Sequence, residues 1–248
     1  MSSWVIVGAG YTGSRVAARL RAEGHEVVET HRATLDLAVG SELRFPGATI
    51  VCCAPPGADP AREIANLVAL GGRRLVYISS TGVYAPGGGA WVDESWPLEP
   101  VTASGRARLA AERALPPHTA ILRAPGIHGP GRGLVERIRA GTYRIIGDGT
   151  AHVSRVHVDD LVEAIVRAGA SDAAGAFNIA DDDPAPIGEV ADAVAAHFGL
   201  PPPPRVPASS VAAEVAGMLT ADRRIANGRM KRELGVVLRY PSWRACLA

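Results

Sequence analysis

A glycine-rich turn near the start of the chain constrains the fold more than any other feature of the sequence. Trp4 to Val7 form a short apolar run without polar alternation, as in a strand that is covered on both faces. The turn Gly8-Ala9-Gly10-Tyr11-Thr12-Gly13 follows at once, and residues 14–22 carry a helical pattern that Gly24 ends. A strand, a tight turn and a helix in this order predict the first βα unit of a parallel sheet.

The spacing of the three glycines gives the turn its chemistry. Gly8 permits a tight turn, Gly10 lets a pyrophosphate approach the backbone, and Gly13 lets the helix pack closely on the strand. Tyr11 and Thr12 lie in the same loop, where the free N–H groups of a helix N-terminus favour phosphate. Because a second predicted strand ends about 20 residues later, the context indicates a dinucleotide-binding site rather than an incidental glycine turn.

Strands and helices alternate through most of the remaining chain. The further predicted strands are 26–30, 49–53, 75–78, 119–122 and 176–179, and the further predicted helices are 61–70, 103–115, 159–168 and 187–198. We therefore predict an α/β fold, a Rossmann-type doubly wound parallel sheet with a small C-terminal substrate cap. The predicted Rossmann domain comprises residues 1–126 and 156–180, and the cap comprises residues 127–155 and 181–248. Residues 201–204, all proline, are predicted to form an extended linker that sets off the last roughly 45 residues.

The exit of the second predicted strand bears on the choice of cofactor. NAD favours a carboxylate at this point, whereas NADP favours an arginine that meets the 2′-phosphate. His31 and Arg32 occupy the strand exit, and Glu29 lies two residues before His31, too deep to reach the ribose. NADP is therefore the preferred cofactor and NAD the alternative. The other interpretation of Arg32 is a solvated loop arginine.

Composition argues against several classes of partner. The chain has 248 residues and a formal net charge of +1, so nothing points to nucleic acid or to a membrane surface. No apolar run approaches the roughly 20 residues of a membrane span, and the N-terminus lacks a secretory pattern. There are three cysteines, two of them adjacent at Cys52 and Cys53, which is typical of a reducing compartment. We expect a cytoplasmic protein.

Short motifs recur in a fixed order along most of the chain. They are Gly8-x-Gly10-x-x-Gly13, Leu35-Asp36-Leu37, Ser79-Ser80-Thr81-Gly82-Val83-Tyr84, Glu94-x-x-Pro97-x-x-Pro100, Arg123-Ala-Pro-Gly-Ile-His-Gly-Pro-Gly131, Val156-His-Val-Asp-Asp-Leu161 and Phe177-Asn-Ile179. Together they resemble the extended short-chain dehydrogenase/reductase family, also called the NAD-dependent epimerase/dehydratase family. Pro100-Val-Thr-Ala-Ser-Gly-Arg106 and Glu233-Leu-Gly235 are most similar to its atypical branch, typified by bacterial YeeZ-like proteins.

The resemblance implies a role for each matching residue. It implies that Asp36 contacts the adenine edge and that Leu37 packs on the adenine ring. It also implies that Cys53, Ala54 and Pro55 line the nicotinamide-side ribose and that Pro125 forms a wall of the nicotinamide pocket. Ser80 matches the catalytic Ser/Thr that holds the substrate oxygen. The structural alternatives are a helix or turn cap for Asp36 and a strand-end turn residue for Ser80.

The family's catalytic tyrosine and lysine, four residues apart on one helix, correspond here to Ser104 and Arg108. A serine hydroxyl has a shorter reach than a phenol and needs an adjacent base before it can exchange protons. Arg108 keeps the positive charge and can bind the ribose hydroxyls, but it cannot shuttle a proton. We predict that the ribose-binding half survives, while Ser104 is an inactive early helix residue. His128 is the best alternative acid because imidazole titrates near neutrality, with a satisfied loop histidine as the other interpretation.

Charged residues after position 129 leave two further questions. The segment 129–155 faces the substrate in relatives, and it carries five arginines, namely Arg132, Arg137, Arg139, Arg144 and Arg155. These would suit a phosphate or a carboxylate, although a solvated helix face fits several of them equally well. The sequence His157-Val-Asp159-Asp160 runs into a helix start, where aspartate serves as a cap, so we predict no metal.

Two functions of different classes remain open. The first is an NADP-dependent oxidoreductase or epimerase-like enzyme that uses a non-standard acid on a small-molecule substrate. The second is a non-catalytic NADP-binding protein that senses or signals redox state. The missing Tyr and Lys disfavour an ordinary sugar-nucleotide epimerase. An open cavity over the nicotinamide C4 would favour the enzyme. The chain is expected to be a monomer, or a homodimer through the helices that match residues 61–70 and 103–115.

Overall fold

The computed structural model describes residues 2–247, apart from the side chains of Ala245 and Cys246. Its strands in chain order are β1 (Ser3–Val7), β2 (Glu26–Thr30), β3 (Thr49–Cys52), β4 (Arg74–Ser80), β5 (Trp91–Val92), β6 (Ala120–Ala124), β7 (Gly126–His128), β8 (Ile145–Ile146), β9 (His152–Val153), β10 (Arg155–His157), β11 (Gly175–Asn178), β12 (Ala185–Pro186), β13 (Arg205–Val206) and β14 (Arg224–Ile225). Its α-helices are α1 (Gly13–Ala22), α2 (Pro60–Ala69), α3 (Ala103–Ala114), α4 (Leu134–Arg139), α5 (Val158–Ala170), α6 (Ile187–His197), α7 (Ala213–Leu219) and α8 (Gly228–Glu233).

Six of the strands form one parallel sheet in the order β11-β6-β4-β3-β1-β2. β1 lies in the interior of the sheet, between β2 and β3, and every neighbouring pair runs in the same direction. The chain reverses its direction of winding at β1, because β2 lies on one side of it and the later strands lie on the other. The predicted α/β class and doubly wound parallel sheet are therefore confirmed.

Apolar cores cover both faces of the sheet. On one face α1 and α5 pack against β1, β3, β4 and β6, with Trp4, Leu20 and Ile165 among the buried side chains. On the other face α2 and α3 cover the same strands through residues such as Leu67 and Ala111. This two-sided burial explains why β1 and β3 read as continuous apolar runs rather than alternating ones. The predicted strands and helices agree with the observed ones to within two residues at either end.

Short elements outside the central sheet form a second group, drawn mostly from the residues after β6. Short strand pairs β7–β10, β9–β12, β8–β13 and β5–β14 connect distant parts of the chain. A third apolar cluster packs α4 and α6 around Tyr143, Ile145 and Trp243. The division into a Rossmann domain and a cap at the predicted boundaries stays a prediction.

The proline segment does not set off the last residues as the sequence suggested. β13 begins directly after the prolines and pairs with β8. Further on, Met230, Leu234 and Val236 join the main core beside α1 and α5. Residues 201–204 lie outside the helices and strands, and the chain beyond them returns to the central sheet because these apolar side chains are buried there. Within residues 2–247, no helix is both long and apolar enough to cross a membrane.

Candidate functional site

The predicted site residues lie mostly along one edge of the sheet, at the carboxyl ends of its parallel strands. In sheet order this edge carries Arg32 after β2, Gly8 after β1, Cys53 after β3, Ser80 at the end of β4 and Pro125 after β6. Five neighbouring strands span roughly 19 Å at ordinary sheet spacing. Ligands in open α/β sheets bind along this edge, near the point where the strand order reverses.

The glycine turn is held tightly against the neighbouring strands. The backbone N–H groups of Gly8 and Ala9 both donate to the Thr30 carbonyl, at 3.1 and 3.0 Å. Gly8 has φ of +87°, and a Cβ built on it would lie 2.7 Å from the backbone nitrogen of Ala54. A Cβ on Gly13 would lie 2.5 Å from the Gly8 carbonyl oxygen, so α1 can approach β1 only with glycine there.

Gly10 differs from the other two glycines of the turn. A Cβ built on it meets no heavy atom within 4 Å, so the backbone at Gly10 borders open space. α1 begins three residues later and directs its N-terminus toward this turn. A backbone that is open at the central glycine, beside a helix N-terminus, fits a pyrophosphate. The residues present therefore fit a dinucleotide, which would approach here without contacting a side chain at position 10.

A cavity of about 370 Å³ opens over β2, β1 and β3. It is lined by Val7, Gly8, Ala9, Gly10, His31, Arg32, Leu35, Asp36, Leu37, Ala38, Cys53, Ala54, Pro55, Gly57 and Glu63. The structure thus brings together eight of the predicted cofactor residues, from both the glycine turn and the motifs of the resemblance. Tyr11 lies beside the turn, where its hydroxyl donates to the Pro130 carbonyl at 3.2 Å. Thr12 is buried as the residue before α1.

Arg32 and Asp36 stand together at the outer end of this cavity. The side chain of Arg32 is 87% exposed, and its Nε lies 3.4 Å from Asp36 Oδ2. Asp36 also accepts the backbone N–H of Ala38 at 3.0 Å, and this hydrogen bond lowers the pKa of its carboxyl. Glu29, the alternative determinant, forms an ion pair with Arg21 and does not line the cavity. Arg32 is therefore the charged side chain free to turn toward a ligand at this end.

A second cavity, of about 280 Å³, opens over β4 and β6. Its walls include Ser80 and Pro125 from the sheet edge and a group of residues from the later part of the chain, namely Arg132, His152, Met218, Leu219, Asp222 and Arg223. The Ser80 hydroxyl accepts the Gly82 N–H at 3.0 Å, which caps a 3₁₀ turn over Thr81–Val83. Because a hydroxyl accepts and donates, Ser80 keeps a proton for a second partner. Ser80 is thus both a turn residue at the end of the strand and part of the cavity wall.

Arg108 lies behind the sheet edge rather than in either cavity wall. Its Nη1 donates to the carbonyl of Ile78, and its guanidinium carbon lies 5.9 Å from the centre of the Tyr77 ring. Its positive charge also acts on the Cys52 thiol. The charge that the family's lysine supplies is therefore retained near the end of β3 and β4. Contact between Arg108 and a ribose stays a prediction.

Ser104 lies on the first turn of α3, and its hydroxyl donates to the carboxylate of Glu214 on α7. The same carboxylate accepts the backbone N–H groups of Ala103 and Ser104, at 2.8 and 3.1 Å. The hydrogen bond from Ser104 lowers the pKa of Glu214. Ser104 is exposed and is not part of the cavity wall, whereas Thr102, two residues earlier, is. No local pattern marked Glu214 as a partner of Ser104, because it lies 110 residues away.

His128 differs from the expectation of an imidazole that titrates near neutrality. It ends β7, is 7% exposed and meets His157 edge-on, with ring centres 5.2 Å apart. Burial, with the neighbouring charges of His157 and Arg155, lowers the pKa of His128 to about 4. Ile127 lines the second cavity, but His128 does not. The ring is therefore neutral at pH 7 and lies behind the cavity wall.

The five arginines of the segment 129–155 do not act as one group. Only Arg132 lines the second cavity, where its guanidinium carbon lies 5.0 Å from the centre of the Tyr11 ring. Arg137 lies over Tyr143 and Arg139 over Phe198, while Arg144 binds backbone carbonyls. Of these four arginines, Arg132 alone lies where it could meet a ligand in the second cavity, and its substrate contact stays a prediction.

Three ionisable residues of the second cavity were missed by the sequence analysis: His152, Asp222 and Arg223. His152 Nδ1 lies 2.9 Å from Asp222 Oδ1, across 70 positions of sequence. Arg223 is 8% exposed, and its guanidinium donates to the carbonyls of Ala85 and Tyr84. A local pattern could not have revealed these contacts, since β9 and the segment before β14 meet only in the folded chain.

Comparisons with known proteins agree with this geometry. The model of the NAD dependent epimerase/dehydratase family matches residues 61–180. A 3-diazoavenalumate denitrifying reductase from Streptomyces sp is 35% identical over 196 residues, which are 71% of this chain and 64% of that protein's length.

Two solved structures share the whole fold. A functionally unknown conserved protein from Silicibacter pomeroyi DSS is 29% identical, with a TM-score of 0.82 over 100% of this chain and 97% of that one. The human epimerase family protein SDR39U1 (isoform2), solved with NADPH, is 18% identical, with a TM-score of 0.82 over 100% of this chain and 98% of that one. Over residues 61–180 this chain is therefore similar to the NAD dependent epimerase/dehydratase family, and over its whole length it shares the fold of the two solved structures.

Proposed function

We propose that this protein is an NADP-dependent reductase of the atypical, YeeZ-like branch of the family and that it acts on a small anionic molecule. The observation that carries the proposal is the open cavity of about 280 Å³ beside Ser80 and Pro125, next along the sheet edge to the glycine turn. An open cavity there favours an enzyme over a protein that only holds a dinucleotide. The Streptomyces relative is named a reductase, which favours reduction over epimerisation.

NADP is proposed over NAD because of the side chains at the outer end of the first cavity. Arg32 is exposed and joined to Asp36 only by a long contact of 3.4 Å, so it can turn to meet a 2′-phosphate at little cost. The carboxylate that NAD would prefer, Glu29, is occupied by Arg21. The solved SDR39U1 structure holds NADPH, which supports the same preference.

The dinucleotide would supply a hydride at its nicotinamide ring when bound. The chain's own residues would do the rest of the work at the second cavity. Ser80 would donate its hydroxyl proton in a hydrogen bond to the substrate oxygen, since its own oxygen already accepts from Gly82. Pro125 and Ile127 would exclude water from one side, because both present apolar surface to the cavity.

An anionic substrate is proposed because of the charges in the cavity wall. Burial lowers the pKa of Arg223 to about 10, so the guanidinium still carries its charge at pH 7. Its hydrogen-bond partners are neutral carbonyls, and no carboxylate of the described residues lies within 4.0 Å of it. Arg132 adds a second positive charge, while the single negative charge, Asp222, is engaged by His152. A carboxylate or phosphate would balance the excess.

A second candidate is a non-catalytic NADP-binding protein, and one observation favours it. Ser104, at the position of the family's catalytic tyrosine, bonds to Glu214 and lies outside the cavity wall. If no other group transfers a proton, the cavity would bind a ligand without converting it.

Calorimetry and a turnover screen would decide between the two candidates. The protein is first titrated with NADPH and NADH, and then offered small carbonyl compounds in pairs that differ only by a carboxylate or phosphate. We expect NADPH to bind and the anionic member of a pair to be reduced with the lower KM. Arg132→Met should raise that KM at least about 10-fold, whereas the matched control Arg137→Met should not. NADPH binding without turnover of any compound would favour the non-catalytic protein, and equal KM values within pairs would refute the anionic substrate.

A further inference from the structure

His152 and Asp222 form a hydrogen-bonded pair in the wall of the second cavity. The Asp222 carboxylate contacts His152 twice, with Oδ1 2.7 Å from the backbone nitrogen and 2.9 Å from Nδ1 of the ring. The two side chains are 28% and 29% exposed, so both are largely buried and both still reach the cavity. Because the carboxylate holds Nδ1, the ring nitrogen left for a ligand is Nε2.

The backbone at Asp222 is held in an uncommon conformation. Asp222 has φ of +46°, and it is the only residue other than glycine with positive φ among the described residues. The carbonyl of Asp222 accepts the Gly89 N–H at 2.9 Å, and Gly87 packs so closely that a Cβ there would lie 2.6 Å from that oxygen. On the other side, Arg223 N–H donates to the His152 carbonyl at 3.2 Å. A strained backbone conformation that is held in place by neighbouring segments, as at Asp222, is typical of functional sites.

The remaining candidates for proton transfer lack this combination of features. Ser104 faces Glu214 outside the cavity, and His128 is buried behind the wall beside His157. Ser80 lines the cavity, but among the residues that the structure describes its hydroxyl has the Gly82 N–H as its one hydrogen-bond partner, and no base. An imidazole that is oriented by a carboxylate and open at its second nitrogen is the arrangement that general acid/base catalysis uses most often.

We propose that His152 is the general acid/base of the reduction, in place of the family's tyrosine, and that Asp222 is its positioning residue. The inference rests on the proposed function. When bound, the reduced dinucleotide would supply the hydride to the substrate carbon. The substrate oxygen, which would receive the C=O π pair, would take the proton from Nε2 of the His152 imidazolium, and solvent would return a proton to Nε2. The sum is one carbonyl, one reduced dinucleotide and one proton converted to one alcohol and one oxidised dinucleotide.

The charges around the pair suit this role. Burial raises the pKa of Asp222, but the hydrogen bonds from the His152 backbone and ring outweigh it and hold that pKa below its usual range. Asp222 is therefore a carboxylate at neutral pH and accepts the proton on Nδ1. The other charged groups that face the pair are Arg224, whose charge acts on Asp222, and the cavity arginines Arg132 and Arg223. The Asp222 carboxylate orients the ring through Nδ1, and an anionic substrate would offset the arginines.

The first test needs no substrate. Long-range ¹H–¹⁵N spectra of the NADPH-loaded protein report which ring nitrogen of His152 carries the proton. We expect the proton on Nδ1 in the neutral ring, facing Asp222. Asp222→Asn, which tolerates positive φ, should shift part of the ring to the Nε2–H form, because a neutral amide holds the Nδ1 proton less strongly than a carboxylate does. A proton on Nε2 alone in the wild type, or the same tautomer in the variant, would overturn the inference.

The second test measures turnover of the best substrate from the screen. His152→Gln should lower kcat by about 10²–10⁴-fold while the NADPH dissociation constant stays within about threefold. His197→Gln, at an exposed position at the end of α6, is the matched control and should change neither value. A kcat for His152→Gln within about threefold of wild type would overturn the inference and leave the proposed reductase standing. Failure of the wild type to bind NADPH would instead refute the proposed function itself.

Discussion

Replacing Arg32 with alanine should lower the affinity for NADPH without unfolding the protein. The Arg32 side chain is 87% exposed and makes one long contact, 3.4 Å to Asp36. An exposed ion pair of this kind contributes about 0–1 kcal/mol, so the free energy of unfolding should change by no more than that. A charge-assisted hydrogen bond to the 2′-phosphate contributes about 1.5–3 kcal/mol, which corresponds to roughly 10- to 100-fold in affinity.

Calorimetry on matched variants isolates this contribution. NADPH and NADH are titrated into wild type, Arg32→Ala and the control Arg44→Ala, which removes another exposed arginine from the same β2–β3 connection. We expect Arg32→Ala alone to weaken NADPH, with NADH affinity unchanged in all three. Equal affinity of the wild type for both dinucleotides would refute the reasoning, and Glu29 would then have to leave Arg21 to serve as the ribose ligand.

Three further predictions follow from the turn, from α3 and from a buried acid. Gly10→Val should abolish dinucleotide binding, because the valine side chain would fill the open space at the turn, and the thermal midpoint of unfolding should stay close to that of the wild type. Binding within a few-fold of wild type would exclude the turn as the phosphate site. Ser104→Ala should leave kcat within about threefold, since its hydroxyl serves Glu214, and a fall of 100-fold or more would contradict this. Burial raises the pKa of Asp181 from 3.8 to about 7, so between these pH values the folded state binds a proton that the unfolded state does not. The free energy of unfolding should therefore fall by up to about 4 kcal/mol as the pH rises from about 4 to 7. Chemical denaturation at several pH values should show this slope in wild type and in the exposed control Asp172→Asn but not in Asp181→Asn, and an equal slope in all three would contradict it.

Local signals explain how much of the fold the sequence predicted. The glycine turn needs glycine at positions 8 and 13 for reasons that involve a few neighbouring residues, so it is legible in the sequence. The strands of the central sheet are buried on both faces and read as apolar runs for the same reason. Three of the helices, α2, α3 and α5, carry a side-chain cap from the residue directly before them, as Thr102 does for α3 through the Gly105 N–H.

The features that were missed depend on contacts between distant segments. β5 and β14 are two residues each, too short for a pattern, and exist because Trp91–Val92 meets Arg224–Ile225. His152 and Asp222 are 70 positions apart, and neither has a neighbour in sequence that marks it. For His128 the residue type was visible, but the burial that lowers its pKa was not. The residue types around the site could thus be predicted from the sequence, whereas the contact between His152 and Asp222 could be seen only in the folded chain.

A structure of the protein with bound NADPH and an anionic carbonyl compound tests the central claim most directly. We expect the adenine end at Arg32, the pyrophosphate at Gly10 and the nicotinamide against Pro125. The reacting carbonyl should lie between the nicotinamide C4, the Ser80 hydroxyl and His152 Nε2, with contacts of about 2.6–3.2 Å from the two side chains to its oxygen. A nicotinamide ring turned away from the second cavity, or a carbonyl out of reach of both side chains, would contradict the account.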